Sequence, residues 1–453
     1  MKRISYIAMM AILFTSCGKN LSEITSAPKS NSQTGVIASC TTKAQAVELS
    51  EAHGLQFRVI NEKRKLIEFF HIKEVELKRL LPRAKTKKNV FFDEPLVQGD
   101  NFEAQAGVNY QYYGAHNRES RTSDISRFFP HLDQVEGHDI INNVQGQGVT
   151  IAVIDTGVYY NHPHISPNIK TNNNDRHGNN GNGADDDGNG YADDYVGWDF
   201  VNGDAFPIDD HGHGTHVAGL AAGTYAGIAP QAKILPIKVL GADGRGDLGS
   251  IAAGILYAID NGADIINMSL GGPGGSSVTG QIRNLLSSIQ VAKQRDVMVI
   301  AAAGNGGSDG IGDCNDAEPV YPASFDESNL ISVASVTSYN TLASYSNFGG
   351  ESVHVAAPGG SQENGGLLSL ALPSCFGQCS QSTQPYTRSS GTSMATPIVS
   401  GLAALIKSAK PSLNHNQIFN IIENSGIEIG DLQGIIKSGQ VINVRNAILD
   451  ALN

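Results

Sequence analysis

The sequence predicts an α/β fold for the larger, C-terminal part of the chain, and two patterns support that prediction. Short apolar runs rich in Val, Ile and Ala recur from about residue 148, and Gly, Asp or Asn bound them. Segments of helical length, 248–261 and 278–296, lie between the runs. Such runs are typical of strands in a parallel sheet that is buried on both faces. The runs are Val149–Ile154, Ile234–Val239, Ile265–Met268, Val297–Ala302 and Ile331–Ala334.

A smaller unit of a different kind is predicted at residues 41–97. Its helical patterns and strand-like runs together suit a small α+β domain. The helical patterns lie at 44–53 and 73–80, and the strand-like runs lie at 56–60, 66–71 and 90–92. Residues 18–40 are rich in Ser, Thr, Asn, Lys and Pro, which predicts a flexible tether. Residues 98–147 are assigned to a linker and the start of the main domain, which occupies 148–453.

The N-terminus carries the pattern of an export signal. Met1, Lys2 and Arg3 precede an apolar run, 4–14, that is too short to span a bilayer but is typical of a secretory signal, here 1–17. Its end, Leu-Phe-Thr-Ser-Cys, is similar to a bacterial lipobox in which Cys17 is lipidated. An ordinary signal peptide with an incidental cysteine is the alternative. The sequence thus predicts a bacterial cell-envelope lipoprotein or a secreted protein, with membrane contact only through such an anchor.

Charge is distributed unevenly along a chain whose net charge is -12. Residues 101–453 hold 16 Lys and Arg against 34 Asp and Glu, whereas residues 38–100 hold 12 against 9. The acidic main body argues against nucleic-acid binding, which needs clustered basic side chains. The opposite charges of the two parts would favour their association.

The five cysteines leave the disulfide pattern open. If Cys17 is lipidated and Cys40 is removed with the N-terminal unit, three remain, namely Cys314, Cys375 and Cys379. Their spacing does not decide which two pair. No histidine lies near them at a metal-ligand spacing, so a zinc site is not expected.

Three polar residues in short, Gly-rich motifs are the candidate reactive groups. Asp155 ends the first apolar run, where open α/β sheets place their sites. His213 lies in His-Gly-His-Gly-Thr-His, and Ser393 lies in Gly-Thr-Ser-Met-Ala-Thr-Pro, at a turn before an apolar helix predicted at 398–406. Each motif alone also fits a plainer role: a turn for Asp155, a structural or metal-binding site for the histidines, and a helix N-cap for Ser393.

Taken together and in this chain order, the three motifs resemble those of the subtilase family of serine peptidases over roughly 148–450. The resemblance implies a three-layer subtilisin-like α/β fold and hydrolysis of protein or peptide substrates through an acyl-enzyme. It assigns Ser393 as the nucleophile, His213 as the general base, Asp155 as its orienting partner and Asn305 as an oxyanion donor. The alternative is a catalytically silent binding or adhesion module built on the same fold.

The resemblance also implies where a substrate binds and how the enzyme is kept inactive. Ser269, Leu270 and Gly271 match a segment that pairs with the substrate backbone. Gly304 and Val320 would wall and floor the primary specificity pocket, and Val320 predicts a preference for mid-sized apolar side chains. The unit at 41–97 resembles a ferredoxin-like prosegment that acts as an intramolecular inhibitor.

An acidic loop at 185–194 is a candidate calcium site. Oxygen ligands occupy positions 1, 3 and 5 and Gly occupies position 6, as at the start of an EF-hand loop, but position 12 is Val196. A solvated acidic turn is the alternative. The predicted Ca²⁺ ligands are Asp185, Asp187, Asn189, Tyr191, Asp193 and Asp194.

Overall fold

The computed structural model describes residues 36–38, 43–53, 55–61, 66–70, 86–88, 128–175, 182–274, 279–307, 309–361, 365–373 and 386–453. The chain divides into two compact units, residues 1–97 and 98–453. Within the described residues, none of the helices combines the length and the apolar character that a membrane crossing requires.

The described part of the N-terminal unit forms an antiparallel sheet of four strands with one helix. Its elements are β1 (Val36–Ala38), α1 (Lys43–His53), β2 (Gln56–Asn61), β3 (Leu66–Phe70) and β4 (Thr86–Lys88). The strand order is β2-β3-β1-β4, so that α1 joins two strands separated by β3. This is the split βαβ arrangement of ferredoxin-like folds.

Two of these strands differ from the sequence-based prediction. Strand β1 lies inside 18–40, so the prediction of a tether was wrong for its three residues, which pair with β3 and β4. Strand β4 lies in a basic stretch for which no strand was predicted. Such short strands carry little sequence signal because their pairing is made at long range. The predicted helix 73–80 and strand 90–92 lie outside the described residues.

The main unit is built on a sheet of nine strands among the described residues, in the order β16-β17-β13-β12-β10-β8-β5-β7-β6. All neighbours are parallel except β16 and β17. Two short antiparallel pairs, β9 with β11 and β14 with β15, stand apart from it. The strands are β5 (Thr150–Asp155), β6 (Trp198–Asp199), β7 (Lys233–Lys238), β8 (Ile265–Met268), β9 (Gly272–Pro273), β10 (Met298–Ala302), β11 (Val320–Tyr321), β12 (Leu330–Val336), β13 (Val355–Pro358), β14 (Leu367–Leu370), β15 (Tyr386–Ser389), β16 (Ile427–Glu428) and β17 (Gln440–Val441).

Helices cover both faces of this sheet. Alternate residues of β5 point to opposite cores: Ile151 packs with helices α4, α7 and α9, whereas Ile154 packs with α5 and α6. The result is the α/β fold predicted from the buried apolar runs, with the three layers that the resemblance implied. The helices are α2 (Pro130–Gln134), α3 (His138–Ile141), α4 (His213–Ala222), α5 (Leu248–Asp260), α6 (Thr279–Gln294), α7 (Thr392–Ala409), α8 (His415–Asn424) and α9 (Val444–Leu452).

Helix α7 is longer than its sequence suggested. The prediction began at residue 398, after Pro397, because proline usually marks a helix boundary. The helix instead begins at Thr392 and continues through Pro397. Ser393 is therefore the second residue of the helix and not part of a preceding turn.

Candidate active site

The three sequence motifs meet at the carboxyl end of the parallel sheet. Strand β5 ends at Asp155, helix α4 begins at His213, and helix α7 begins one residue before Ser393. His213, Ser393 and Asn305 line one cleft of about 770 Å³. Asp155 lies fully buried behind His213. Ligand sites in open α/β sheets lie at this end of the strands.

The carboxylate of Asp155 holds the ring of His213. The distance from His213 Nδ1 to Asp155 Oδ1 is 2.7 Å, and the backbone N–H of Thr156 donates to the same oxygen at 2.7 Å. A carboxylate accepts hydrogen bonds, so Nδ1 carries the proton and Nε2 is left with its lone pair. Burial lowers the pKa of His213, but the charge and hydrogen bond of Asp155, with a contribution from Asp209, raise it above its ordinary value.

A glycine allows helix α4 to approach strand β5 this closely. A Cβ on Gly214 would lie 2.1 Å from the carbonyl oxygen of Gly157 and 3.1 Å from the Cβ of Asp155. Any larger residue would push the start of α4 away from the strand. The Gly-rich character of the histidine motif is therefore a packing requirement of the Asp155–His213 pair.

Asp209 is a residue that sequence reasoning missed. It is fully buried, and its Oδ1 accepts from the hydroxyl of Thr156 at 2.9 Å and from the N–H of Gly212 at 2.8 Å. It thereby ties the residue after Asp155 to the residue before His213. The signal was its position two residues before the histidine motif and four residues before His213.

Ser393 is the second residue of helix α7. It therefore lies in the first turn, where the helix dipole is positive. Its hydroxyl donates to the carbonyl oxygen of Ser269 at 3.1 Å. The arrangement offers a hydroxyl and a donor-rich helix end to the same cleft.

Asn305 is oriented by the first residue of the same helix. Its Oδ1 accepts from the N–H of Thr392 at 2.8 Å and from the hydroxyl of Thr392 at 3.0 Å. A backbone N–H can only donate, so the atom facing it must be the amide oxygen. The amide nitrogen of Asn305 is left as a donor for a bound group, next to the helix end that carries Ser393.

A buried side chain closes the loop that carries Asn305. The Oδ1 of Asn347 accepts from the N–H of Gly306 at 2.7 Å and from the N–H of Asp313 at 2.9 Å. Gly304 has φ 115°, and a Cβ there would lie 2.6 Å from the Nδ2 of Asn347. Asn347 was not predicted, because it is distant in sequence and lies in no recognisable motif.

The five predicted substrate-binding residues are brought together. Ser269, Leu270, Gly271, Gly304 and Val320 all line the cleft that holds His213 and Ser393. Val320 belongs to β11, which pairs with β9 directly after this segment. A Cβ on Gly271 would lie 3.1 Å from the Cγ1 of Val320, so the two chain segments are in close contact.

The acidic loop gathers a set of carboxylates that differs from the predicted one. Single oxygen atoms of Asp175, Asp185 and Asp187 lie within 4.8 Å of one another and could hold a metal ion. Asp175 is buried and was missed because it lies ten residues before the loop. Like charges this close repel unless a cation lies between them.

The other predicted ligands have different contacts. Asp194 is buried and accepts from the hydroxyl of Tyr257 at 2.6 Å and from Asn189 Nδ2 at 3.0 Å. Burial raises the pKa of Asp194, and these hydrogen bonds oppose that effect. Asp193 accepts from the N–H groups of residues 182 and 183, and the ring of Tyr191 packs against Tyr257. These residues shape the loop around the three converging carboxylates.

Among the cysteines, Cys314 is buried and disulfide-bonded. Its partner is one of the other four cysteines, Cys17, Cys40, Cys375 and Cys379, all of which lie outside the described residues.

The comparison with known proteins shows that the chain is a serine endopeptidase. A model of the subtilase family matches residues 146–441, so the chain belongs to that family. Its substrates are therefore proteins or peptides, and the alternative of a catalytically silent module is not supported.

Its relatives include well-known members of the family. It is 35% identical to thermitase of Thermoactinomyces vulgaris over 291 residues, which cover 63% of this chain and 83% of the relative. It is 38% identical to subtilisin DY of Bacillus licheniformis over 240 residues, or 52% of this chain and 77% of the relative. A cold-adapted subtilisin-like serine proteinase matches in structure with a TM-score of 0.51 and 28% identity, covering 67% of this chain and 90% of that one. A protease of Pseudoalteromonas arctica matches with a TM-score of 0.53 and 29% identity, covering 72% and 94%.

Proposed function

We propose that the chain is the precursor of an exported serine endopeptidase whose catalytic triad is Asp155, His213 and Ser393. The observation that carries the proposal is the 2.7 Å contact between His213 Nδ1 and the buried Asp155, in a cleft that also holds Ser393. This contact fixes the tautomer in which Nε2 can accept a proton. The rise in the pKa of His213 favours the imidazolium that forms when it does.

Each step of hydrolysis then has a residue to perform it. The Oγ of Ser393 attacks the scissile carbonyl carbon, and its proton passes to Nε2 of His213. Asp155 stabilises the imidazolium, which returns the proton to the leaving amine as the acyl-enzyme forms. Water, deprotonated by His213, hydrolyses the ester and restores Ser393.

The negative charge on the carbonyl oxygen requires donors aimed at it. The side-chain N–H of Asn305, oriented by Thr392, and the backbone N–H of Ser393 are the two donors of the proposed oxyanion hole. Donors fixed before the reaction need no reorganisation in the transition state, and removing one typically costs about 10²–10³ in kcat.

The substrate backbone is proposed to add as a strand along Ser269, Leu270 and Gly271, which line the cleft. The P1 side chain would enter the pocket walled by Gly304 and floored by Val320. The two methyl groups of Val320 shorten that pocket and leave no carboxylate to pair a basic P1 side chain.

Calcium is the proposed structural cofactor of the acidic loop. Carboxylate oxygens are the hard ligands that Ca²⁺ prefers, and Asp175, Asp185 and Asp187 supply three of them at one place. Bound calcium would supply the positive charge that holds the loop closed. No catalytic step needs it, since the nucleophile, base and oxyanion donors are all side-chain or backbone groups.

The N-terminal unit is proposed to be the inhibitory prosegment, and residues 1–17 the signal, with Cys17 as the lipidation site. The opposite charges of the two units and the ferredoxin-like strand order of the first support this assignment. Autocleavage by Ser393 would release the mature enzyme.

A fluorophosphonate probe tests the triad, because it labels only an activated serine. The purified chain should be labelled, and Ser393→Ala should abolish labelling. Asp155→Asn should slow peptide hydrolysis by about 10⁴-fold, since the amide fixes the wrong tautomer. Ser332→Ala, which changes a buried serine on β12, is the matched control and should label normally. Labelling that survives in Ser393→Ala would refute the assignment of the nucleophile.

A further inference from the structure

The carbonyl group of Ser393 cannot make its usual helical hydrogen bond. In an α-helix, the carbonyl of one residue accepts from the N–H four residues later. For Ser393 that residue is Pro397, which lies inside α7 and has no N–H. The hydroxyl of Ser269 donates to this carbonyl oxygen instead, at 2.8 Å.

Ser269 therefore contacts Ser393 twice, in opposite directions. Its hydroxyl donates to the carbonyl of Ser393, and its own carbonyl accepts from the Ser393 hydroxyl at 3.1 Å. Ser269 is only 3% exposed, whereas Ser393 is half-buried and faces the cleft. The bond from the Ser269 hydroxyl ties the backbone of the proposed nucleophile to the edge of the substrate cleft, whereas the Ser393 hydroxyl must turn from the Ser269 carbonyl to Nε2 of His213 before it gives up its proton.

A chain of buried side chains sets the direction of the Ser269 hydroxyl. Asn267 Nδ2 donates to Ser269 Oγ at 3.0 Å, and Ser400 Oγ donates to Asn267 Oδ1 at 2.8 Å. A carbonyl can only accept, so the proton of the Ser269 hydroxyl must point to Ser393. The lone pair of Ser269 must then accept from Asn267, which fixes the orientation of the amide. Both Asn267 and Ser400 are fully buried.

We propose that Ser269 is a positioning residue. Its hydroxyl, aligned by Asn267, supplies to the carbonyl of Ser393 the hydrogen-bond donor that Pro397 lacks. This role is distinct from the contact that the backbone of Ser269 makes with substrate, and it rests on the proposed role of Ser393 as nucleophile. Without the hydroxyl, the first turn of α7 loses a hydrogen bond at the residue that carries the nucleophile and one oxyanion donor. Misplacement of a reacting group by about 1 Å can cost 10²-fold in rate.

The chain offers a direct test, because Pro397→Ala restores the missing backbone N–H. Ser269→Ala should lower kcat by about 10- to 100-fold while KM changes little, since the backbone that binds substrate is retained. The rate at which a fluorophosphonate labels Ser393 should fall by a similar factor. In a Pro397→Ala background the same substitution should cost much less, because the helix now satisfies its own carbonyl. Ser332→Ala is again the control and should leave both rates unchanged.

Two results would overturn the proposal: an equal cost of Ser269→Ala in both backgrounds, or a raised KM with an unchanged kcat. Should Pro397→Ala fail to fold, Asn267→Ala replaces it. Asn267→Ala should lower kcat less than Ser269→Ala does. In the double variant, kcat should be little lower than in Ser269→Ala alone. An unchanged kcat in both single variants would refute the proposal. A wild-type chain that is not labelled at all would instead refute the role of Ser393, so the two failures are distinguishable.

Discussion

Replacing His131 by glutamine should make the protein lose less stability in acid. His131 lies in α2 and is fully buried, with its Nε2 2.8 Å from the carbonyl oxygen of Ala226. Burial lowers its pKa from 6.5 to about 4, and the hydrogen bond to Ala226 only partly opposes this. Its Nδ1 is buried and has no partner among the described residues. Glutamine keeps an N–H donor for Ala226 but cannot take up a proton.

The size of the effect follows from the two pKa values. The unfolded chain binds a proton at His131 below about pH 6.5, whereas the folded chain does so only near pH 4. The folded state therefore loses stability as the pH falls from 6.5 to 4, and the loss levels off below that. Between pH 8 and pH 5 this histidine should account for about 2 kcal/mol of the fall in the free energy of unfolding.

Urea unfolding at pH 8 and pH 5 measures this difference. Both proteins should carry Ser393→Ala so that self-digestion does not interfere, and the calcium concentration should be constant. Trp198, the single tryptophan of the chain, reports unfolding by fluorescence. The fall in the free energy of unfolding between the two pH values should be about 2 kcal/mol smaller in His131→Gln. An equal fall in both proteins would mean that His131 is not kept neutral by burial.

Four further predictions concern the active site and its supports. A protonated His213 cannot act as a base, and Asp155 raises its pKa. The value of kcat/KM should therefore fall in acid with a midpoint above pH 6.5, the ordinary pKa of histidine. A midpoint below pH 6.5 would contradict this prediction. Ser393→Ala should keep the prosegment attached, as a gel would show, and maturation of the pure variant would exclude self-processing. A hundredfold excess of calcium over its dissociation constant should add about 2.7 kcal/mol to the stability of the wild type. Asp187→Ala should lose that response in a thermal scan with and without chelator, and a response equal to that of the wild type would rule out the site. In a peptide library, Val320→Gly should accept Phe and Tyr at P1 more readily than the wild type does, because discrimination by apolar size is worth roughly 1–3 kcal/mol. A wild type that prefers Phe or Arg at P1 would refute the assignment of Val320 to the floor of the pocket.

Local patterns were enough to predict five adjacent strands of the main sheet and two of the helices that pack on it. The run 149–154 became β5 at 150–155, and the helix predicted at 248–261 was found at 248–260. Buried parallel strands and amphipathic helices carry their signal in the composition of consecutive residues. The candidate reactive groups lie next to these elements, so their motifs could be located before any tertiary contact was known.

Features that depend on distant contacts could not be predicted in this way. Helix α7 continues through Pro397, and Ser269, more than a hundred residues earlier in the chain, bonds the carbonyl that the proline leaves without a helical partner. Asp175 joins two carboxylates of a loop that follows it, and Asn347 closes a loop that precedes it. Ser269 and Asn347 are far from their partners in the sequence, and Asp175 lies ten residues outside the acidic loop, so neither periodicity nor local propensity gives information about these contacts.

The way in which Asn347 closes the loop after Asn305 has a consequence for how this part of the molecule can change over evolutionary time. One amide oxygen accepts from Gly306 at the beginning of the loop and from Asp313 at its end, so the intervening residues are not needed to keep the ends together. Insertions or deletions between 307 and 310 should therefore be tolerated more readily than any substitution of Asn347 itself. The length of this loop is free to diverge among descendants of this gene while the geometry beside the nucleophile is inherited intact.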